Sequence, residues 1–321
     1  MKLLKKSSNF TPLHQGLFFG IDTENSTPSD VLVDIIDATT EEVIAMQKLR
    51  SVVSAEVNVA PYLKQFTEYV PSSDSTGFKE APTRACAIRV SNEISEPLVV
   101  STNNSAVVTP SAVTSLPLSR YITPEEIDEL LLLVEENDTL VANIRTDSGD
   151  SLELEYTTTT GAVILSIASM DFDTMYSRSI DVDVECNGEH LVSLHYSLIA
   201  AHKGSCRLAW ISESGAIERY TFPIMAKKEY KSDKLQIEGH DNRRIVRSTF
   251  ESELSLASRY EPQALIESLA QIISSPRVWI EQANNLKEVI VTTSAIDSNI
   301  FGEPSYIRLV VSERHKKEVT L

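Results

Sequence analysis

The sequence predicts a mainly β protein: two tandem antiparallel β-sandwich (Ig-like) domains followed by a small α+β domain. Three observations carry that prediction. Short β-branched runs alternate apolar and polar residues along most of the chain. Turns rich in Ser, Thr and Pro separate them at close intervals, and a helical stripe is clear only near the C-terminus.

Behind an N-terminal extension over 1–15, the first sandwich is expected over 16–100. Val31-Leu32-Val33-Asp34-Ile35-Ile36 is a β-branched run, and Glu42-Val43-Ile44-Ala45-Met46 follows a Thr-rich turn. Val53, Ala55, Val57 and Val59 oppose Ser54, Glu56 and Asn58. Cys86, Ile88 and Val90 likewise oppose Ala85, Ala87 and Arg89. Both patterns have the period of a half-buried strand. Residues 101–117 (STNNSAVVTPSAVTSLP) have the Ser/Thr/Pro composition of a linker, or of an arm draped over a neighbouring subunit.

The second sandwich is expected over 118–225. Thr123-Pro124-Glu125-Glu126 is a helix-start signal, with a Thr cap, Pro at the first helical position and a Glu to close a capping box. Ile127, Leu130, Leu131 and Val134 then have helical spacing, but the run Leu130-Leu131-Leu132-Leu133-Val134 fits a buried strand equally. Both readings stay open. Leu191 to Ala200 is the clearest strand, with Val192, Leu194, Tyr196 and Leu198 on one face. Cys206, Leu208 and Trp210 alternate with Arg207, Ala209 and Ile211.

The α+β domain is expected over 226–321. Its helix, about 262–274, opens at Glu261-Pro262, carries Leu265, Leu269, Ile272 and Ile273, and stops at Ser274-Ser275-Pro276. Strands are expected at 243–251, 278–280, 289–292 and 306–312.

Lys plus Arg number 29 against 46 Asp plus Glu, a formal charge of −17. That balance repels phosphate and argues against sequence-independent nucleic-acid binding and against docking on anionic membranes. A hydrophobic fraction of 42% excludes wholesale disorder. Cys86, Cys186 and Cys206 are an odd count, which suits a reducing compartment better than a disulfide scaffold. Met1-Lys2-Leu3-Leu4-Lys5-Lys6 leads into Ser7-Ser8-Asn9 rather than an apolar stretch, so no secretory signal is expected, and no run of 18 apolar residues occurs.

Motifs for chemistry are sparse. Gly-x-Gly-x-x-Gly, Walker loops and Gly-x-Ser-x-Gly are missing. Cys186, His190, His195, His202 and Cys206 fall within 21 residues and are good zinc-ligand types. Strand parity separates them, though: His195 belongs with Ser193 and Ser197, whereas Cys206 belongs with Leu208 and Trp210. Asp171, Asp173, Asp181, Asp183 and Glu185 include i, i+2 pairs that share a strand face, where calcium or an acid/base pair would fit. Alternation with Val182, Val184 and Cys186 favours a solvated acidic sheet face. Trp210, Tyr220 and Phe222 read as core rather than a sugar-stacking platform, and Lys227-Lys228-Glu229-Tyr230-Lys231 as a solvated edge or an interdomain turn. The expectation is therefore no enzyme, and no catalytic, cofactor-binding or metal-binding residue.

Three clusters carry a resemblance. They are Leu118-Ser119-Arg120-Tyr121-Ile122-Thr123 with Asp128-Glu129; Arg207-Leu208-Ala209-Trp210 continuing through Gly215-Ala216-Ile217-Glu218-Arg219-Tyr220-Thr221-Phe222-Pro223; and Ser258-Arg259-Tyr260-Glu261 with Ser274-Ser275-Pro276-Arg277-Val278-Trp279. In this order, and with Val59-Ala60-Pro61-Tyr62-Leu63 closing an Ig-like opening module, the chain resembles a family of structural tail or neck proteins of tailed phages and prophages of gut Bacteroidales bacteria. The resemblance runs from about residue 16, and its motifs look like packing anchors. It implies a non-enzymatic virion protein, assembled in the host cytoplasm. The implied place is a tail or tail-tip ring; a neck or collar ring, or a peripheral receptor- or glycan-binding protein, is the alternative. The implied partners are copies of itself and neighbouring virion proteins, with no sequence-specific nucleic acid and no membrane insertion.

Overall fold

The structure, a computed structural model, describes residues 1–12, 15–63, 71, 75–101, 109–238, 243–282, 285–296, 303–313 and 317–320. Of these, 226, 233, 236–238, 243–250, 282, 313 and 317–320 are described by backbone alone. The chain is mainly β, built from antiparallel sheets as expected.

Residues up to 101 form β1 (Lys2–Lys5), β2 (Phe18–Asp22), β3 (Ser29–Asp37), β4 (Val43–Val52), β5 (Ser54–Asn58), a one-turn helix α1 (Ala60–Leu63), β6 (Gly77–Glu80), β7 (Arg84–Val90), β8 (Glu93–Ile94) and β9 (Leu98–Val100). One sheet has the order β1-β2-β5, and the facing one β4-β3-β7-β8 with β9 also on β7. Phe19, Ile21, Val33, Ile35, Val57 and Ile88 fill the space between them. Alternation does the sorting: Val31, Val33 and Ile35 point inward while Leu32 is exposed. The alternating stretch from Val53 is cut short, because β4 ends in one sheet and β5 begins in the other. The 1–15 segment is not a free extension: β1 pairs with β2, and Met1 and Leu3 pack on the core.

The second unit contains β10 (Ser111–Val113), β11 (Ser119–Ile122), β12 (Ile127–Leu133), β13 (Thr139–Thr146), β14 (Ser151–Thr157), β15 (Ala162–Ala168), β16 (Ser179–Cys186) and β17 (Glu189–Leu198). Its sheets run β10-β12-β15-β6 and β11-β17-β16-β13-β14, with β11 parallel to β17. Leu130, Leu132, Ile144, Leu165, Val182, Leu194 and Tyr196 form the core between them.

Two expectations change here. Strand β6, inside the stretch assigned to the first sandwich, crosses over and pairs with β15, Phe78 opposite Leu165. Glu80 at its end anchors it, accepting hydrogen bonds from Tyr156, Thr158, Thr159 and Thr160. Burial pushes the Glu80 carboxyl up, but the hydrogen bonds from Thr159, Thr160 and Thr158 more than offset it and hold it below the ordinary value. Gly161 closes the same turn at φ +79°, where a Cβ would lie 2.6 Å from the Val134 carbonyl oxygen. The second change concerns 101–117. Residues 102–108 of that segment lie outside the described residues, but Ser111–Val113 is a strand on β12 and Leu116 is buried in the third core.

The open choice at 123–134 resolves as strand. Glu126 does return its carboxylate to the Thr123 N–H, as a capping box would, at 2.8 Å. No helix follows, because β12 pairs with β10 and β15 and is buried on both faces. Leu130 and Leu132 face the sandwich core, and Leu131 and Leu133 face the next sheet. A strand covered on both sides reads as a continuous apolar run, which is why periodicity alone did not separate the two readings.

The third unit holds β18 (Cys206–Ile211), β19 (Ile217–Phe222), β20 (Ile224–Glu238), β21 (Arg243–Ala257), helix α2 (Gln263–Ala270), β22 (Val278–Gln282), β23 (Asn285–Val291), β24 (Arg308–Glu313) and β25 (Lys317–Thr320). The order is β19-β18-β22-β23-β24-β21-β20, with β25 on β21. Helix α2 starts after Pro262, continues as a 3₁₀ turn through Ile273 and buries Ile266, Leu269 and Ile272 on the sheet. Residues 206–222, expected in the second sandwich, join the C-terminal sheet instead: β18 pairs with β22, Leu208 opposite Ile280, and β19 pairs with β18. Local alternation shows that a segment is a strand but not which sheet it joins.

Candidate functional site

Sheet β10-β12-β15-β6 is a middle layer. Its outer face meets one face of the C-terminal sheet through Leu131, Leu133, Ala162 and Ile164 on one side and Ala209, Ile217 and Trp279 on the other. Along this seam lies a cluster of buried charges. Successive residues on a strand point to opposite faces, so Asp128 turns toward β11 and β17 while Glu129 turns toward the C-terminal sheet. From the opposing sheet, Arg207, Arg219 and Glu281 share the face of Ala209 and Trp279, cross-strand neighbours in register.

Arg207 is the hub. Its Nε donates to Glu281 Oε2 at 3.0 Å, Nη1 to Glu126 Oε2 at 3.0 Å and Thr221 Oγ1 at 2.9 Å, and Nη2 to the Ile127 carbonyl at 2.7 Å. Arg219, with no side-chain exposure, spans Glu281 Oε1 at 2.7 Å and Glu129 Oε2 at 2.9 Å. Lys79 on β6 reaches Glu129 from the rim at 3.6 Å. Arg120 binds Asp128 Oδ2 at 2.7 Å, the Pro117 carbonyl and Thr114 Oγ1. Tyr196 donates to the same Asp128 oxygen at 3.0 Å. Glu218, on the opposite face of β19, takes the Ser115 N–H at 2.6 Å and the Thr114 hydroxyl at 2.9 Å, pinning the end of the 101–117 segment.

Burial opposes charge on Asp128, Arg120, Arg219 and Glu218, and their neighbours oppose burial to different extents. Arg120, Arg207 and Arg219 more than offset the desolvation of Asp128 and keep its carboxyl below the ordinary range. Burial likewise opposes charge on Arg120 and Arg219, and their carboxylates win, raising both. Glu218 differs: burial pushes its carboxyl up, and Arg120, 3.8 Å from Oε2, offsets this only in part. Among the described residues, four cations (Arg120, Arg207, Arg219, Lys79) meet five carboxylates (Glu126, Asp128, Glu129, Glu218, Glu281), and among these Glu218 has its carboxyl raised by burial. Nearby, Tyr220 donates to Glu261 at 2.7 Å, and burial raises both groups. A cavity of about 20 Å³, roughly the space of one water, touches Arg120, Asp128, Arg207, Arg219 and Tyr220.

The residues singled out from sequence disperse. Cys186 lies in the second core and Cys206 in the third, while His190 and His195 sit on the exposed face of β17. His195 Nδ1 is 2.6 Å from Asp181. Among the described residues no group of three His, Cys, Asp or Glu side chains is placed to hold a metal ion. All three cysteines are buried and unbridged, and burial pushes Cys86 up to about 12 and Cys186 and Cys206 up to about 11. Thiols held protonated in this way are poor nucleophiles. Asp181, Asp183 and Glu185 do form an acidic outer face alternating with buried Val182, Val184 and Cys186. Asp171 ends a 3₁₀ turn and accepts the Thr76 N–H; Asp173 accepts the Met175 N–H. Trp210, Tyr220 and Phe222 are core, Trp279 is buried in the seam, and Tyr230 and Tyr260 are exposed. Lys227, Lys228 and Lys231 lie exposed along β20, an edge strand.

Sequence reasoning missed the charge cluster, although the resemblance motifs contain Arg120, Asp128, Glu129, Arg207, Glu218 and Arg219. Their reading as packing anchors captures the burial and overlooks the ion pairs. The available signal was the run Ala216-Ile217-Glu218-Arg219-Tyr220-Thr221-Phe222, which carries charges yet has no polar face. Among the described residues, no helix is long and apolar enough to cross a membrane. No protein-family model matches the chain, and comparison with curated proteins finds no match.

Proposed function

We propose that the chain is a non-enzymatic structural protein of a tailed-phage virion, a tail or tail-tip component that assembles as an oligomeric ring, with a neck or collar ring as the alternative position. The observation that carries this reading is the buried cluster. It ties the second sandwich to the C-terminal sheet through charge pairs whose geometry is specific, as a rigid subunit of a repeated assembly requires. Strand β6 ties the first sandwich to the second in the same sense. Rings then follow from head-to-tail contacts that close by rotation. On this reading its partners are further copies and neighbouring virion proteins, and its place is the particle, after assembly in the host cytoplasm.

The test is the mass of the purified chain by light scattering, followed by negative-stain imaging and immunolabelling of particles. A closed ring, or label on the tail or neck, is expected. A chain that stays monomeric and is missing from purified particles overturns the reading. One observation favours the peripheral binding alternative: Tyr260 is 72% exposed. Glycan-array binding that disappears on Tyr260→Ala would select it.

A further inference from the structure

The outer face of sheet β11-β17-β16-β13-β14 is charged unevenly. At its β14 end, Glu153 and Glu155 on β14 lie across β13 from Asp183 and Glu185 on β16, with Asp181 one row on. Glu153, Glu155 and Asp181 are exposed, and among the described residues Arg145 is the one arginine on those strands' outer face. Its β11 end is different. Tyr121 stands exposed there, and the Arg259 guanidinium lies 5.5 Å from its ring centre. Tyr260, next in the chain, meets Tyr306 edge-on at 5.2 Å, and Arg308 stacks over Tyr306 at 5.4 Å.

These five side chains make a patch of the composition that interface centres favour, tyrosine and arginine. Among the described residues no carboxylate lies within ion-pair distance of Arg259 or Arg308, although buried Glu261 lies near enough to Arg259 to feel its charge. In a chain with 46 acidic and 29 basic residues, two arginines with no carboxylate at ion-pair distance among the described residues are conspicuous, and each lies over a ring.

We propose that this patch grips the acidic β14–β16 face of a second copy. The acidic rows lie on β16, β13 and β14, and the patch is built from Tyr121 on β11 with four side chains of the C-terminal unit, so each copy presents two different surfaces to its neighbours. Contacts of that kind are heterologous and propagate head to tail, closing into a ring when the rotation per subunit allows. The inference rests on the ring reading above and names the surfaces that would form its subunit contact. Arginine forks suit carboxylates bidentately, and the tyrosines supply apolar area at low entropic cost.

The experiment is sedimentation velocity on the full chain at 50 mM and 500 mM salt. It compares wild type with a patch-reversed variant (Arg259→Glu with Arg308→Glu) and a face-reversed variant (Asp181→Lys, Asp183→Lys and Glu185→Lys). Wild type is expected to self-associate, more weakly at high salt. Each reversal should weaken association on the order of 100-fold, and an equimolar mixture of the two reversed variants should recover it. Tyr260→Ala, at a site that packs nothing in the core, checks the patch without reversing charge and should weaken association about 10-fold.

Association unchanged by either reversal overturns this contact and leaves the ring reading standing. A wild-type chain monomeric at every concentration overturns self-contact through the patch, and the ring reading then depends on particle imaging alone. Glycan-array binding lost with Tyr260→Ala, with no change in mass, assigns the patch to a sugar and overturns the inference as well.

Discussion

In the first sandwich, Phe19, Val33, Ile35, Val57 and Ile88 are all fully buried, and charge stays at the rim. Arg89 meets Asp34 there at 2.9 Å with the two side chains 27% and 23% exposed. The seam between the second sandwich and the C-terminal sheet buries about as completely but mixes in three arginines, none more than 7% exposed. The two regions solve different problems. An apolar core needs matching volume and tolerates substitutions that conserve it, whereas a guanidinium that meets carboxylates on two strands at once adds a directional requirement to the docking. A sheet that must sit in one register on another gains specificity from charge and takes on the risk of an unpaired ion if any partner is lost.

Removing Arg219 breaks the comparison most sharply. Arg219→Ala leaves Glu129 and Glu281 facing each other without their shared cation, and about 3–5 kcal/mol of stability should be lost in urea unfolding. Proteolysis should then attack the C-terminal sheet before the first sandwich. Ile35→Ala is the matching cut in the apolar core and should cost roughly 2–5 kcal/mol, with the seam unaffected. If Arg219→Ala instead costs under about 1 kcal/mol, the cluster is not a structural tie and the contrast fails.

Acidity sharpens the contrast at smaller amplitude. Glu218 has its folded value raised, so the stability it contributes is present below the unfolded value and is lost as pH rises through the folded one. Asp128 is depressed, so its contribution holds above the unfolded value and is lost as pH falls through the folded one. Melting temperature should therefore rise as pH falls through the raised folded value of Glu218, and collapse only once pH falls through the depressed one of Asp128. General relief of the −17 charge would act in the same direction. Glu218→Gln isolates the local part: the variant should melt higher than wild type above the raised Glu218 value, and the difference should shrink as pH falls through it. An identical pH profile in wild type and variant refutes the assignment. The smallest effect is expected at the rim of the first core, where Arg89→Ala should shift stability by about 1 kcal/mol or less.

What was legible in the sequence follows from what each residue sees locally. Val192, Leu194 and Tyr196 alternate with solvent-facing neighbours, and β17 reads correctly as a strand with His195 on its outer face. The acidic alternation at Asp181, Asp183 and Glu185 was likewise visible, because one side of β16 meets solvent. The seam was not. Arg207 looks like the polar half of an ordinary strand, and only the overlying sheet turns that half inward. Helical spacing at Ile127, Leu130, Leu131 and Val134 was a coincidence of burial on two faces. Both failures arise where a third layer covers what would otherwise be surface.

The crossing of β6 bears on how the chain folds as it is synthesised. At about 5–20 residues per second, residues 77–80 leave the ribosome roughly 5–20 s before their partner strand, which ends at Ala168, has emerged. During that interval the first sandwich can close through β7 and β9, but the intervening strand is left holding Phe78 and Glu80 without a sheet. An isolated N-terminal piece cut after 101 would carry that orphan strand permanently, with a backbone edge free to pair with whatever is near. The waiting interval is thus the moment of greatest exposure to aggregation.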